Sequence, residues 1–157
     1  MSNDNIKAGG EQVIEYVTVM IGGQLFGLPI SRVQDVFMPD RVTRVPLSAP
    51  EIAGVLNLRG RIVTLIDVRK RLGLTGAESD YAAMAIGVES RGESYGLLVD
   101  SVGEVLNLDD AERQANPVNL DPRLGQVSAG IFRLERQLLV VIDVDRMLAI
   151  GEHAVAA

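Results

Sequence analysis

The sequence predicts an all-β protein made of two small barrel lobes related by internal duplication, with short helices after the strand pairs. Three observations carry that prediction. First, Gly54–Leu72 (GVLNLRGRIVTLIDVRKRL) aligns without gaps on Gly130–Leu148 (GIFRLERQLLVVIDVDRML), with identities at Gly54/Gly130, Leu58/Leu134, Ile66/Ile142, Asp67/Asp143, Val68/Val144 and Leu72/Leu148. Second, an upstream block repeats as well. Phe26–Phe37 (FGLPISRVQDVF) matches Tyr95–Leu106 (YGLLVDSVGEVL) at Gly27/Gly96, Leu28/Leu97, Val33/Val102 and Val36/Val105. Third, the apolar runs are short, rich in β-branched residues and punctuated by Gly turns, a pattern of closely spaced strands and not of a parallel sheet.

The elements follow in order. Tyr16–Ile21 (YVTVMI) reads as a strand, Gly22-Gly23 as the turn and Gln24–Ile30 as its partner. Pro39, Pro46 and Pro50 suit edge and loop segments. Leu56 and Leu58 alternate with Asn57 and Arg59, which puts the leucines on one strand face and the polar pair on the other. Gly60-Arg61 then turns the chain into Ile62–Ile66. Asp67 occupies the N-cap of a short helix that carries Lys70 and Arg71 near its end and Gly73 as its stop. In the second half Ala82–Val88, the Arg91-Gly92 turn and Glu93–Val99 repeat the first hairpin, and Asp143 caps the second short helix. The two blocks are offset by 69 and by 76 residues, so the second copy holds seven extra residues. These fall in Asp109–Val127, whose Pro and Asn mark a surface loop. The halves span about 13–76 and 81–150, with exchange of strands between them left open, and 1–12 and 151–157 read as flexible tails.

Composition narrows the function. The chain has 157 residues, 47% hydrophobic and 23% charged, enough to bury a core without metal or disulfide support. It contains no Cys, which excludes disulfides, thiolate nucleophiles and Cys-based zinc sites and suits a reducing compartment. Met1–Gln12 is polar with no signal-like apolar stretch, and the longest apolar runs, such as Leu138–Ile142, are far short of a membrane span. The expected compartment is cytoplasmic. A formal net charge of −6 and scattered basic residues, 13 Arg with only Lys7 and Lys70, oppose a phosphate-binding surface. Scattered arginines on an acidic chain suit bidentate contacts to carboxylates or partner proteins, although most are expected to be solvated surface.

Catalytic constellations are missing from the sequence. The one histidine, His153, lies in the small-residue stretch GEHAVAA, and there is no G-x-S-x-G, G-x-G-x-x-G or G-K-[ST] motif. Asp109, Asp110 and Glu112 lack an EF-hand spacing. Asp67, Asp143 and Asp100 are the carboxylates an enzyme reading would have to use, and none has a clustered partner in the sequence. No catalytic residue, cofactor or metal is assigned.

The assembled segments, YVTVMIGGQLFGLPISRVQDV, GVLNLRGRIVTLIDVRKRLGL, YGLLVDSVGEVLNL and GIFRLERQLLVVIDVDRML, resemble the CheW-like domain over roughly Val13–Ile150. The N-L-R-G hairpin before an apolar strand and I-D is the most specific element. The resemblance implies two five-stranded SH3-like barrels and a non-catalytic adaptor. Such an adaptor joins the cytoplasmic tips of chemoreceptors to a CheA-type histidine kinase, in the cytoplasm at receptor arrays on the membrane. The acidic net charge argues against a nucleic-acid partner, and the short apolar runs argue against direct membrane insertion. A homologue serving a pilus or other non-flagellar kinase array would have the same sequence features. By the same resemblance, Arg59 is the partner-binding arginine of the hairpin, with Asn57 and Gly60 beside it. Val33 and Asp35 in the first half, and Gly96, Val102 and Val105 in the second, match positions that touch kinase or receptor. Gly130 joins them, although close strand approach also accounts for a glycine there. The repeat breaks most sharply where Asn57-Leu58-Arg59-Gly60-Arg61 faces Arg133-Leu134-Glu135-Arg136-Gln137, which singles out Arg59 as a residue the second lobe lacks.

Overall fold

The structure, a computed structural model, describes residues 12–74 and 84–149. Ten strands run in chain order: β1 (Val13–Ile21), β2 (Gln24–Pro29), β3 (Val33–Phe37), β4 (Ile52–Leu58), β5 (Arg61–Asp67), β6 (Met84–Ser90), β7 (Glu93–Val99), β8 (Ser101–Asp109), β9 (Ser128–Arg133) and β10 (Leu138–Ile142). Three one-turn helices join them: α1 (Val68–Arg71), α2 (Pro122–Gly125) and α3 (Val144–Met147). The strands form two five-stranded sheets, β9-β10-β2-β1-β8 and β3-β6-β7-β5-β4. In each, one pair is parallel, β10 with β2 and β5 with β7, and the other pairs are antiparallel.

The second sheet is one contiguous stretch of chain, residues 33–99, set between β2 and β8 of the first, which is not contiguous. The first takes β1 and β2 from one half and β8–β10 from the other, and the second takes β3–β5 and then β6 and β7. The chain crosses between sheets twice, through the 3₁₀ turn Ile30–Arg32 and at Asp100. A barrel drawn as 13–76 or 81–150 alone would therefore lack two of its five strands.

Each sheet curls until its edges meet. Thr43, beyond β3, exchanges two backbone hydrogen bonds of 2.8 Å with Val55 of β4. Gln114, beyond β8, does the same with Ile131 of β9 at 2.8 and 2.9 Å. At both seams the preceding residue is a glycine at positive φ, Gly54 (152°) and Gly130 (132°). A Cβ at Gly54 would stand 2.5 Å from the Thr43 carbonyl oxygen, and one at Gly130 would stand 2.9 Å from that of Gln114. The repeated glycine is thus the residue that lets the barrel close.

Strand alternation then makes three cores. Along β10, Leu139 and Val141 face the interior of the first barrel with Tyr16 and Phe132, while Val140 and Ile142 face the second barrel. Along β5, Val63 and Leu65 fill the second barrel with Leu56 and Leu98, while Ile66 faces the first. The shared layer between barrels is the largest, with Phe26, Leu28, Ile86 and Leu97 almost fully buried. Strands buried on both faces need no polar alternation, which is why β10 reads as an unbroken apolar run.

Several sequence expectations are corrected in detail. The β4–β5 turn is Arg59-Gly60 and not Gly60-Arg61, because Leu58 and Arg61 pair directly across it. Ile30 leaves β2 for the 3₁₀ turn, since the chain there must step to the other sheet. The segment Asp109–Val127 contains a third helix, α2, started by Asp121 as cap and Pro122 in the first turn. Asp67 and Asp143 do act as N-caps, accepting the Lys70 and Arg146 backbone N–H groups at 3.2 Å. Strand β6 runs Met84–Ser90; Ala82 and Ala83, residues 1–11 of the first tail, and the whole of 151–157 with His153 lie outside the described residues.

Candidate partner-binding surface

The site is built on the β4–β5 hairpin. Arg59 and Gly60 form its two-residue turn with φ of 54° and 84°, the paired positive values of a type I′ turn whose twist matches that of the flanking strands. The Asn57 Oδ1 accepts the Gly60 N–H at 2.8 Å and braces the turn from the preceding strand. The first central position demands a left-handed backbone, which arginine adopts at some cost. The gain is position: the Arg59 side chain stands at the tip, 76% exposed.

Its guanidinium lies 3.6 Å from Oδ2 of Asp35 on β3. Strands β3 and β4 are the two edges of the second sheet, so this ion pair bridges the closure of the second barrel. At that distance it is a Coulombic contact and not a hydrogen bond. It steers the guanidinium while leaving its five N–H donors available to a partner carboxylate. Asp35 is itself seated by Gly87 on β6, where any Cβ would collide with the carboxylate. Gly87 is a positioning residue that sequence reasoning missed; an isolated glycine inside a strand was the available signal.

The other candidates divide by barrel. Val33, on the same strand as Asp35, is half-buried against the shared core. Gly96 sits inside the second barrel, where a Cβ would come within 2.8 Å of Leu65 and 3.2 Å of Phe37, so its contribution there is packing. Val102 and Val105 lie on β8 in the first barrel, the former half-buried against the shared core and the latter exposed. Gly130 lies at the seam of the first barrel. The structure therefore brings Asn57, Arg59, Gly60 and Asp35 together and keeps Val102, Val105 and Gly130 apart from them. Two apolar residues on exposed faces were not anticipated: Ile62, the cross-strand neighbour of Asn57, and Val36, the counterpart of Val105. Apolar side chains in strands read as core until topology shows which face is outside.

The carboxylates an enzyme would need are held by the fold. Asp67 and Asp143 cap helices, and Asp100 receives two hydrogen bonds from Arg69, at 3.0 and 2.6 Å. Among the described residues no group of three or more His, Cys, Asp or Glu is placed to hold a metal ion, and no helix is long and apolar enough to cross a membrane.

Two fused five-stranded barrels define the class of the chain, an all-β two-barrel module, with an arginine-tipped hairpin at one seam. Residues 15–152 match the CheW-like domain, and the chain belongs to that family of chemotaxis coupling proteins. It is 30% identical over 149 residues to the chemotaxis protein CheW of Klebsiella aerogenes, covering 94% of this chain and 90% of that one. It is 30% identical over 139 residues to CheW of Bacillus subtilis, covering 88% and 87%. The scaffolding protein TtCheW from Thermoanaerobacter tengcongensis superposes with a TM-score of 0.75 at 28% identity, over 83% of this chain and 89% of that structure.

Proposed function

We propose that the Arg59 hairpin and the β3 edge beside it form a contact face through which this chain couples chemoreceptor tips to a CheA-type histidine kinase. The adaptor role is that of the family. Assignment of the face rests on one observation: a mostly exposed arginine held at a braced turn and steered by Asp35, at the point where the two halves of the duplication differ most. The exposed Val36 and Ile62 add apolar area of the kind that surrounds an arginine anchor in protein interfaces. The first barrel offers a second face through Val105 on β8, which satisfies the adaptor's need for two surfaces. The chain works without chemistry of its own, in the cytoplasm at receptor arrays.

Reconstitution tests this reading. Purified chain, receptor signalling fragments and kinase should assemble into complexes with receptor-controlled kinase activity. Removing Arg59 should weaken that assembly, whereas removing Arg136, on the turn of the other lobe, should leave it intact. Equal behaviour of the two variants would refute the assignment of the face.

A further inference from the structure

Ion pairs tie the barrels to each other at two positions related by the duplication. At one end Arg69 of α1 chelates Asp100, Nε to Oδ1 at 3.0 Å and a terminal nitrogen to Oδ2 at 2.6 Å. Asp100 Oδ2 also accepts the Gly22 N–H at 3.0 Å, and the Asp100 N–H donates to the Met20 carbonyl at 3.0 Å. A helix of the second barrel is thereby clamped onto the β1–β2 turn of the first, by side chains only 13% and 22% exposed. At the other end Asp145 of α3 meets a single Arg32 nitrogen at 3.2 Å and accepts the Ser90 hydroxyl at 2.8 Å. Here the side chains are 32% (Arg32) and 62% (Asp145) exposed, beside an open cleft of about 500 Å³ lined by Ser31, Gln34, Glu89 and Arg91.

The offset of 76 places Arg69 on Asp145, and the offset of 69 places Asp100 on Ser31, next to Arg32. The duplication has kept a clamp at each end while exchanging which side carries the cation. We infer that the two clamps act as a hinge and a latch: the barrels stay pinned at Arg69–Asp100 and rock open at Arg32–Asp145. An exposed pair held through one guanidinium nitrogen, which also donates to the Glu89 carbonyl at 3.0 Å, holds weakly and is screened by salt. A bidentate, mostly buried pair is costly to break, since separation leaves charges poorly solvated. The shared apolar layer, the backbone crossover through Ile30–Arg32, and Arg71 of α1 donating to the Arg146 and Met147 carbonyls of α3 at 3.0 and 3.1 Å, keep the rocking small. Opening turns β3 relative to β8, so the state of the latch sets the angle between the two contact faces. The inference rests on the clamps alone, and its failure would leave the proposed coupling role standing.

The chain has no cysteine, so two introduced cysteines can carry spin labels without background. Glu93 in the second barrel and Glu112 in the first are exposed sites for them. The distance distribution should lengthen and broaden between about 0.01 M salt, where the Debye length is about 30 Å, and about 1 M, where it is about 3 Å. Asp145→Asn and Arg32→Gln should each reproduce the high-salt distribution at low salt and abolish the response to salt. Arg69→Gln should lower Tm more than Arg32→Gln does. A distribution unmoved by salt and by both latch variants would overturn the inference. So would a salt response that persists undiminished in Asp145→Asn, or equal small Tm losses for Arg69→Gln and Arg32→Gln.

Discussion

Truncating Arg59 to alanine separates an interface residue from a structural one, because the two roles predict opposite patterns. In the fold, Arg59 has one ion pair, 3.6 Å long, with its own side chain 76% exposed. Exposed pairs contribute about 0–1 kcal/mol. The left-handed backbone at φ 54° is shared by the variant, so the cost of that conformation nearly cancels. The braces that hold the turn, Asn57 to Gly60 and the Leu58–Arg61 pairing, do not involve the arginine side chain. Loss of stability should therefore stay within about 0.5 kcal/mol, typical of surface substitutions. Binding is different: an arginine anchor costs about 2 kcal/mol or more when truncated, about 30-fold in Kd at 1.4 kcal/mol per tenfold. Thermal melts, with titration of receptor fragments and kinase against wild type, Arg59→Ala and Arg136→Ala, read both quantities. The expected result is an unchanged melt and weakened binding for Arg59→Ala only. Equal, small binding losses in the two variants would make Arg59 ordinary surface. A large drop in Tm for Arg59→Ala would mean that the Asp35 pair holds the barrel shut.

Other outcomes follow from the same structure. Asp67→Ala and Asp143→Ala should each lose about 0.5–2 kcal/mol of stability by chemical denaturation, the usual cost of an N-cap, with partner binding intact once folded. Gly54→Ala should lower Tm more than Gly23→Ala, because a Cβ at Gly54 meets the Thr43 carbonyl at 2.5 Å while one at Gly23 meets open space. The Asp145 carboxyl is held below its ordinary pKa by the hydrogen bond from Arg32 and then by that from Ser90. A depressed acid adds stability above its unfolded pKa, about 3.9, and loses it as pH falls through the folded value. Asp145→Asn should thus be less stable than wild type at neutral pH, with the difference in Tm closing only below about pH 4. Calorimetry with ATP should show no specific binding at micromolar affinity, since the sequence has no phosphate-binding loop.

The features legible in the linear chain are local and periodic. The repeated blocks, the Gly-bearing hairpin turns and the Asp caps depend on residues a few positions apart, so their physics is written in adjacent letters. Arg59 could be singled out the same way, because a break in an internal repeat is visible without any fold. Tertiary structure alone decided the rest. Which non-consecutive strands pair depends on contacts far apart in the chain, such as Val63 beside Ser94 and Leu139 beside Leu25 in the two parallel pairs, and no local preference encodes that choice. The exchange of strands between barrels turned apolar runs into a core between two lobes, and it left Val36 and Ile62 on outer faces. The contact of Asp35 with Arg59, the seat that Gly87 provides for it, and the clamps Arg69–Asp100 and Arg32–Asp145 all join residues from distant strands and turns. Charges act through space, and only the closed barrels bring these partners within a few ångströms of one another.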